Sequence, residues 1–318
     1  MSTRGFYSRS QIAGLVDRVR STRPVHANGR VFFVDGYGTA GNDGNNGDDP
    51  AAPLKTLTKA LSLCVHDRGD IIIVLNYWQP TGETWPITIS KNRVSIVGLA
   101  NPSLPYSAIH PPADTAAFQL TSNGQYGEIA FLTIGGGAAH GGIEWGNSGQ
   151  VDGYWIHDCW FGHQWFGTPL SGIYQPAAST RGGYGNRIEH CTFMGNNANC
   201  KGTITGNAIE QLTNTDATAF RDLEVLDCIF KGCDIGINLT RAFDAVLLRN
   251  KFICPDLADG EAITLGAACL GCMADDNVGM NGGDAAMTNN PFRDIAATNK
   301  NHWGVNWKSN AVILPAQA

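Results

Sequence analysis

One short apolar pattern, written five times between Gly141 and Gly279, constrains this chain more than any other feature. Each copy has a first half with isoleucine at its third position and a second half that ends on an apolar residue. The first halves are GGIEW, SGIYQ, NAIEQ, IGINL and EAITL, and their isoleucines are Ile143, Ile173, Ile209, Ile237 and Ile263. Because the copies recur at unequal intervals, they indicate a solenoid whose loops vary while its rungs persist.

The second halves of the copies predict the columns of a core. They read IHDCWF, IEHCTF, VLDCIF, LLRNKF and MADDNV. Aligned, they give one column of Cys159, Cys191, Cys228, Asn250 and Asp276 and another of Phe161, Phe193, Phe230, Phe252 and Val278. All the halves are short and alternate in polarity, which is typical of strands. Rungs about 4.8 Å apart would stack like residues on one another, so the chain is predicted to be an all-β parallel β-helix.

These rungs resemble the right-handed parallel β-helix of the pectin-lyase-like superfamily, in which I-x-x-C-x-F and I-x-N-x-x-F patterns recur. The resemblance covers the repeats and residues 31–98. It implies a fold and leaves the activity open, because this fold carries lyases, hydrolases, epimerases and phage spikes.

Residues 31–98 look like the N-terminal cap of many β-helix proteins. The strand VFFVD precedes a loop rich in Gly, Asn and Asp, then a helical pattern from Leu54 to Val65, then three further strands. By this resemblance, a short helix closes the open end of the core and shields the edge of the first rung.

The chain is predicted to have three parts. Residues 1–30 form an arm, in which Ser10 to Arg20 has the spacing of a helix that either packs on the solenoid or anchors the protein to a partner. Residues 31–280 form the capped β-helix. Residues 281–318 form a tail that caps the far end or meets copies of itself.

The amino-acid composition limits the kinds of partner that the chain is expected to bind. Charged residues make up 16% of the 318 residues and the formal net charge is −6, which argues against nucleic acid because phosphate binding requires clustered Lys and Arg. The first residues lack the pattern of a secretion signal, and no apolar run is long enough to predict membrane insertion. The nine cysteines are then expected to be reduced thiols made in a cytosol, and no cofactor is predicted.

The residue after each repeated isoleucine should face outward, since side chains alternate along a strand. That column contains Glu144, Tyr174 and Glu210 on successive rungs. The two glutamates would lie roughly 9.5 Å apart, at the upper limit for the carboxylate pair of an inverting glycosidase, with Tyr174 as a sugar platform between them. The alternative is a polar face that meets only solvent.

Aromatic residues supply a second candidate site. Trp160, Trp165 and Phe166, together with Tyr174, are suited either to stacking on a glycan or to anchoring a protein interface. His157, His190, Asp158, Asp227 and Asp275 precede the Cys column, where they are predicted to serve left-handed turns.

Metal sites have weaker support. Asp43, Asn45, Asp48 and Asp49 bring oxygen ligands together in the acidic loop, but the order of an EF-hand is absent, so a solvated turn is the alternative to calcium. Cys269 and Cys272 lack a second pair at zinc spacing. No metal site is therefore predicted.

The phrase VFFVDGYGTAGNDGNNGDDP…LKTLTKAL…DRGDIIIVL looks similar to β-helix proteins of tailed bacteriophages. The resemblance implies a structural virion protein, such as a capsid decoration, spike or fibre, that is assembled in the host cytoplasm. It also implies a homotrimer that contacts capsid or tail proteins and host surface polysaccharide. The alternative is a polysaccharide-degrading enzyme, either a glycoside hydrolase that uses Glu144 and Glu210 or a lyase.

Overall fold

The structure, a computed structural model, describes residues 29–99, 107–112, 114–146, 149–163, 168–196, 202–213, 215–253, 261–280, 291–295, 300–308, 311–313 and 316–317. The predicted arm helix at Ser10 to Arg20 lies outside these residues. Within them, no helix is both long and apolar enough to cross a membrane.

Three long sheets form the sides of a solenoid, and from Ser95 onward each coil passes through all of them in turn. Sheet A contains Val31–Asp35, Ile71–Asn76, Ser95–Gly98, Glu128–Ala130, Trp155–His157, Arg187–Glu189, Glu224–Leu226, Val246–Leu248, Met273–Asp275 and His302–Trp303. Sheet B contains Ala108–Ile109, Thr133–Ile134, Trp160–Phe161, Thr192–Met194, Ile229–Lys231, Lys251–Ile253, Val278–Met280, Asn306–Lys308 and Ala311–Ile313. Sheet C contains Ile87–Ile89, Phe118–Leu120, Gly141–Trp145, Ser171–Gln175, Ile209–Gln211, Ile235–Leu239, Glu261–Leu265, Phe292–Asp294 and Ala316–Gln317.

A corner sheet joins sheets C and A, and a single-turn 3-10 helix lies at Asp216–Thr218. The corner strands are Gly183–Tyr184, Phe220–Arg221 and Ala242–Phe243. Every strand pair is parallel except that of Asn306–Lys308 with Ala311–Ile313. The predicted fold class, a right-handed parallel β-helix solenoid with a short N-terminal capping helix, is confirmed.

The strand register confirms the repeated isoleucines as one buried column of sheet C. It also confirms the phenylalanine column as far as Phe252. In the last copy the predicted alignment is wrong by one residue, because Gly279 lies opposite Phe252 and Ala274 lies opposite Leu247. Asp276 and Val278 therefore leave the core columns.

An asparagine ladder explains the shift. The backbone N–H of Asn250 donates to Oδ1 of Asn277 at 3.0 Å, and that of Asn277 donates to Oδ1 of Asn306 at 3.1 Å. The amide of Asn277 also donates to the carbonyl of Leu247 at 2.9 Å. Since these buried amides satisfy backbone groups that would otherwise lack partners, the ladder places Asn277 rather than Asp276 beneath Asn250.

The phenylalanine rings form a near-parallel stack along the axis. Ring centroids are 4.7 Å apart from Phe161 to Phe193, 4.9 Å from Phe193 to Phe230 and 4.7 Å from Phe230 to Phe252. Glycines on sheet C make room for them, since a Cβ on Gly236 would lie 2.3 Å from the Phe252 ring. Large side chains on one sheet thus require small ones on the facing sheet.

The short turn from sheet A to sheet B uses left-handed backbone on successive rungs. Asp158, His190, Asp227, Arg249 and Asp276 all have φ between 50° and 56°. The turn prediction holds for Asp158, His190 and Asp227, because short polar side chains tolerate this conformation. His157 and Asp275 lie instead in the preceding strands.

We expect Asn250→Cys to lower the free energy of unfolding by about 2 kcal/mol, because it leaves the buried N–H of Cys228 without its acceptor, Oδ1 of Asn250. Earlier rungs hold cysteine at this position, so the replacement fits sterically. Urea unfolding measures the loss, with Cys159→Ala as the control for a small change in the same column. A loss no larger than that of the control would contradict the ladder's contribution.

Helix α1 (Leu57–Leu63) is the predicted cap and buries Leu57, Ala60 and Leu61 on the first rungs. Thr56 caps it by accepting from the N–H of Lys59 at 3.1 Å. Asp43 holds the N-cap in place, accepting the N–H groups of Lys55 and Thr56 at 2.9 Å each. The helix is shorter than the pattern from Leu54 to Val65 because both flanking residues, Thr56 and Cys64, have extended backbone.

The solenoid continues beyond the predicted boundary at residue 280. Phe292 pairs with Ile263, His302 with Met273 and Trp307 with Val278. The predicted tail, residues 281–318, therefore adds strands to all three sheets.

Candidate functional site

A polar strip runs along the outer face of sheet C. Its residues lie opposite one another in the strand register: Thr88, Gln119, Glu144, Tyr174, Glu210, Asn238, Thr264 and Arg293. Consecutive rungs are about 4.8 Å apart, so the strip extends for roughly 34 Å. The register thus places Glu144, Tyr174 and Glu210 on three consecutive rungs at its centre.

Glu144 is paired with a histidine that the sequence analysis missed. The Nδ1 atom of His140 lies 2.6 Å from Oε1 of Glu144. The carboxylate is 7% exposed, whereas the imidazole is 36% exposed. A buried carboxylate on one ring nitrogen orients the ring and directs its other nitrogen outward, as in many sites where histidine moves protons.

Glu210 is held by two neutral donors. The hydroxyl of Ser171 donates to Oε2 at 2.9 Å and the amide of Asn207 donates to Oε1 at 2.8 Å. Ser171 comes from the neighbouring strand, so its contribution depends on the pairing of two copies of the repeat. The carboxylate therefore has a defined orientation on the face.

Tyr174 is enclosed between the two glutamates and is only 9% exposed. Burial raises the pKa of its hydroxyl, and the nearby carboxylates of Glu210 and Glu144 raise it further. Gly141 accepts this packing, because a Cβ there would lie 2.5 Å from the Cβ of Tyr174. Little of the ring is left for stacking on a sugar, so the strip presents mainly hydrogen-bonding groups.

A groove of about 230 Å³ adjoins the N-terminal end of the strip. Hydroxyl groups dominate its lining, and one lysine joins them: Thr58, Leu61, Ser62, Thr84, Pro86, Thr88, Ser90 and Lys91. Thr88 belongs to both features. The groove therefore continues the polar surface toward α1.

Trp160, a second aromatic candidate, does not join this strip. Trp160 lies on the outer side of sheet B, where its ring meets His163 edge-on at 5.4 Å. Trp165 and Phe166 lie outside the described residues. Of the two predicted contacts that the structure describes, Tyr174 lies beside the glutamates and Trp160 does not.

The calcium candidates have other partners. Asp43 binds the N-cap of α1, and the amide of Asn45 donates to the carbonyl of Pro53 at 2.7 Å. Asp49 accepts from the N–H of Ala51, and Asp48 lies 3.8 Å from Arg30. Among the described residues, no three His, Cys, Asp or Glu side chains are placed to hold a metal ion.

The cysteines within the described ranges are free and buried. Cys269 and Cys272 donate to the carbonyls of Leu239 and Ala242, at 3.3 and 3.5 Å. Cys269 and Cys272 are three residues apart because both side chains point inward around one corner of the solenoid.

Comparisons with known proteins give one family match over part of the chain and several distant structural likenesses. Residues 39–103, the cap region, match a family described as a protein of unknown function, DUF1565. No curated protein matches the sequence. Among solved structures, the chain is similar to a rhamnogalacturonan lyase at 14% identity, with a TM-score of 0.47, over 89% of this chain and 73% of that one.

Two further structures are similar at the same level. The surface protein and adhesin PfbA of Streptococcus pneumoniae has 10% identity and a TM-score of 0.46, over 80% of this chain and 83% of that one. The pectate lyase Pel9A has 13% identity and a TM-score of 0.47, over 92% and 79%. Likenesses this distant concern the fold alone.

Proposed function

We propose that this chain is a β-helix scaffold of a bacteriophage particle and that it contacts polysaccharide along the polar strip of sheet C. The observation that carries the saccharide contact is the unbroken strip itself, which follows the solenoid axis and ends in a hydroxyl-lined groove. An extended chain of sugars presents hydroxyl groups at regular intervals. Such a ligand can bind donors and acceptors that repeat on each rung.

The charge of the strip selects among saccharides. Glu144 and Glu210 lie at its centre, and the guanidinium of Arg293 at its far end is already paired with Glu261 at 2.9 Å. Carboxylates of a polyuronate would meet like charge on this face. The proposed ligand is therefore a neutral polysaccharide.

The particle setting is supported by the resemblance of the cap phrase to β-helix proteins of tailed phages. On this proposal the protein assembles in the host cytoplasm as a homotrimer, is attached to capsid or tail proteins and displays its strip to host surface polysaccharide. Its stacked core and ladder bonds suit a rigid fibre or decoration.

A second candidate function is hydrolysis of the bound polysaccharide. The contact between His140 and Glu144 favours it, because an oriented, half-exposed imidazole can exchange a proton with a bound ligand. The carboxylate of Glu210 lies two rungs from Glu144 on the same face. The lyase alternative has less support, since sheet C offers no unpaired Lys or Arg beside the glutamates within the described residues.

We expect Glu210→Ala to weaken binding of a neutral oligosaccharide by tenfold or more, because hydrogen bonds to charged groups contribute about 1.5–3 kcal/mol. Isothermal titration against a panel of neutral and uronate oligosaccharides measures this. Glu224→Ala, on the outer face of sheet A, is the matched control and should bind like the parent protein.

The same panel tests the second candidate. Release of reducing ends by the parent protein, lost in Glu144→Gln and Glu210→Gln with folding intact, would establish hydrolysis. Binding by neither parent nor control, or equal loss in Glu210→Ala and Glu224→Ala, would contradict the saccharide contact.

A further inference from the structure

Outward-facing apolar residues are buried at the N-terminal end of sheet A. Phe33, Ile73, Val97 and Ala130 lie opposite one another in a row across four neighbouring strands. Together with Ile71 they form one contiguous cluster, separate from the core of the solenoid, and no member is more than 6% exposed. We call these five residues the A face.

The sequence of the first strands agrees with burial on both sides. They read VFFVD and IIIVLN, which are nearly continuous apolar runs. A strand with one face in water alternates in polarity, whereas a strand covered on both faces reads as such a run. Farther along the same row, Leu248 and Asp275 are half-buried. The cover over the A face therefore does not reach the far end of sheet A.

The described apolar residues that pack against the A face form a border around it. Val31 and Leu75 belong to its strands, and Leu99 and Phe131 directly follow two of them. All four are only partly buried. Because neighbours in the same layer leave the outward side of a sheet open, side chains as buried as these require a second layer above them.

The N-terminal arm is long enough to supply this layer. Its attachment point lies beside the A face, because the N–H of Arg30 donates to Oδ1 of Asp70 at 2.8 Å and its carbonyl accepts the N–H of Ile71 at 2.9 Å. Residues 21–28 can span up to about 27 Å. As a helix, Ser10 to Arg20 would be about 16 Å long, and the four strands of the A face are about 14 Å across.

The apolar stripe of the arm also suits the A face. On a helix, the side chains of four residues fall within about 100° of one another: Ile12, Leu15, Val16 and Val19. A helix with such a stripe is stable when the stripe is buried against another element. Gly14 and Asp17 would lie on the opposite side, toward solvent.

Residues 100–106 also border the A face, but they suit it less well. They join Gly98 of sheet A to Ala108 of sheet B, so they are fixed at both ends to one turn of the solenoid. Their sequence, ANPSLPY, has one large aliphatic residue, Leu104, and two prolines. It therefore offers no apolar stripe to lie across four strands.

We infer that residues 10–20 pack as an amphipathic helix across the outer face of sheet A of the same chain, with their apolar stripe on the A face. The arm is then part of the solenoid's own structure. Its apolar stripe is occupied and does not anchor the protein to a capsid or tail partner, so any such attachment uses other residues. The inference is independent of the proposed saccharide contact.

Hydroxyl-radical footprinting of the full chain, read by mass spectrometry, tests this placement because it reports the solvent access of single side chains. In the parent protein, Phe33 should react as slowly as Phe118 in the core. Leu15→Asp should raise the oxidation rate of Phe33 about fivefold, because a carboxylate is not buried without a partner. Gly14→Asp is the matched control, since it adds the same charge on the opposite side and should leave Phe33 protected.

Oxidation of Phe118 reports whether the solenoid stays folded. If Leu15→Asp exposes Phe118 as well, Leu15→Ala decides, and it should raise the oxidation of Phe33 alone. Unchanged oxidation of Phe33 in both Leu15 variants would overturn the inference. So would a rise in Leu104→Asp without one in Leu15→Asp, which would assign the cover to residues 100–106.

Two results for the parent protein would also overturn it. Rapid oxidation of Phe33 would show that the A face has no cover. Protection of Phe33 that is lost on dilution would place the arm on a second copy. The saccharide titration does not involve these residues, so failure of this inference is distinguishable from failure of the proposed saccharide contact.

Discussion

Phe230→Ala should lower the free energy of unfolding by about 4 kcal/mol, the largest single effect expected in this protein. The ring is 2% exposed and lies in the middle of the stack, 4.9 Å from Phe193 and 4.7 Å from Phe252. Its removal forfeits apolar burial and two ring contacts, each of about 0.5–1.5 kcal/mol. It also leaves a cavity between rungs.

The solenoid limits how far that cavity can collapse. The strand that carries Phe230 is bonded to parallel strands on both sides, so it cannot move inward without breaking ladder hydrogen bonds. The cost should therefore lie toward the upper end of the range for such substitutions. Phe230→Leu, which keeps most of the volume, should lose only about 1 kcal/mol.

Urea unfolding of the three proteins measures these losses. Phe243→Ala is the control for the same change of side chain at a half-buried position on the corner sheet, and it should cost much less. Equal losses in Phe230→Ala and Phe243→Ala would contradict the account of the stack.

Stability should also fall by about 3 kcal/mol between pH 6.5 and pH 9, because of His157. Its imidazole lies on the outer side of sheet A but is 7% exposed, stacked on Trp155 at 3.9 Å and edge-on to Phe131. Nδ1 lies 2.8 Å from Asp158 and Nε2 lies 2.9 Å from Glu128. Both ring nitrogens can donate only when the imidazole is protonated.

The pKa of His157 results from opposing causes. Burial lowers it, but the hydrogen bonds to Asp158 and Glu128 outweigh burial and raise it from 6.5 to about 9. The folded-state pKa is thus above that of the unfolded chain, so the stabilisation is complete below pH 6.5 and is lost as the pH rises through 9. The side chain of Asp158 is 37% exposed, so solvent screens its interaction with His157. The buried carboxylate of Glu128 should therefore account for most of the stabilisation.

Unfolding free energies measured from pH 6 to pH 10 test this expectation. His157→Gln should have a lower free energy of unfolding than the parent at pH 6. That free energy should change little between pH 6 and pH 9. His190→Gln, which changes an exposed turn residue two rungs from Glu128, should keep the slope of the parent. Parallel curves for the parent and His157→Gln would rule out the proposed titration.

Strand alternation and repetition carried the fold prediction. The isoleucine and phenylalanine columns and the left-handed turn residues depend on local patterns that recur from rung to rung, and the capping helix depends on a single local pattern, so the sequence alone was enough to predict them. The predicted alignment of the last copy is wrong by one residue because two neighbouring residues fit the pattern. Both Asp276 and Asn277 resemble their predecessors, and only the bonds from Asn250 and to Asn306 select between them.

Some features of the candidate site could likewise be predicted from the sequence, and others could not. The alternation after each isoleucine was enough to align Glu144, Tyr174 and Glu210, because a strand's period of two is a local property. The pairing of His140 with Glu144 depends on the path of the loop before the strand. The burial of Tyr174 depends on its packing between the flanking rungs.

What the sequence by itself determined about this protein is therefore the rungs, their order and the residues that point inward. Only the tertiary structure decided which outward residues meet, which of them stay exposed and where the charged groups find partners. The physical reason is that inward positions repeat with the strand, whereas outward contacts are made across rungs by loops of unequal length.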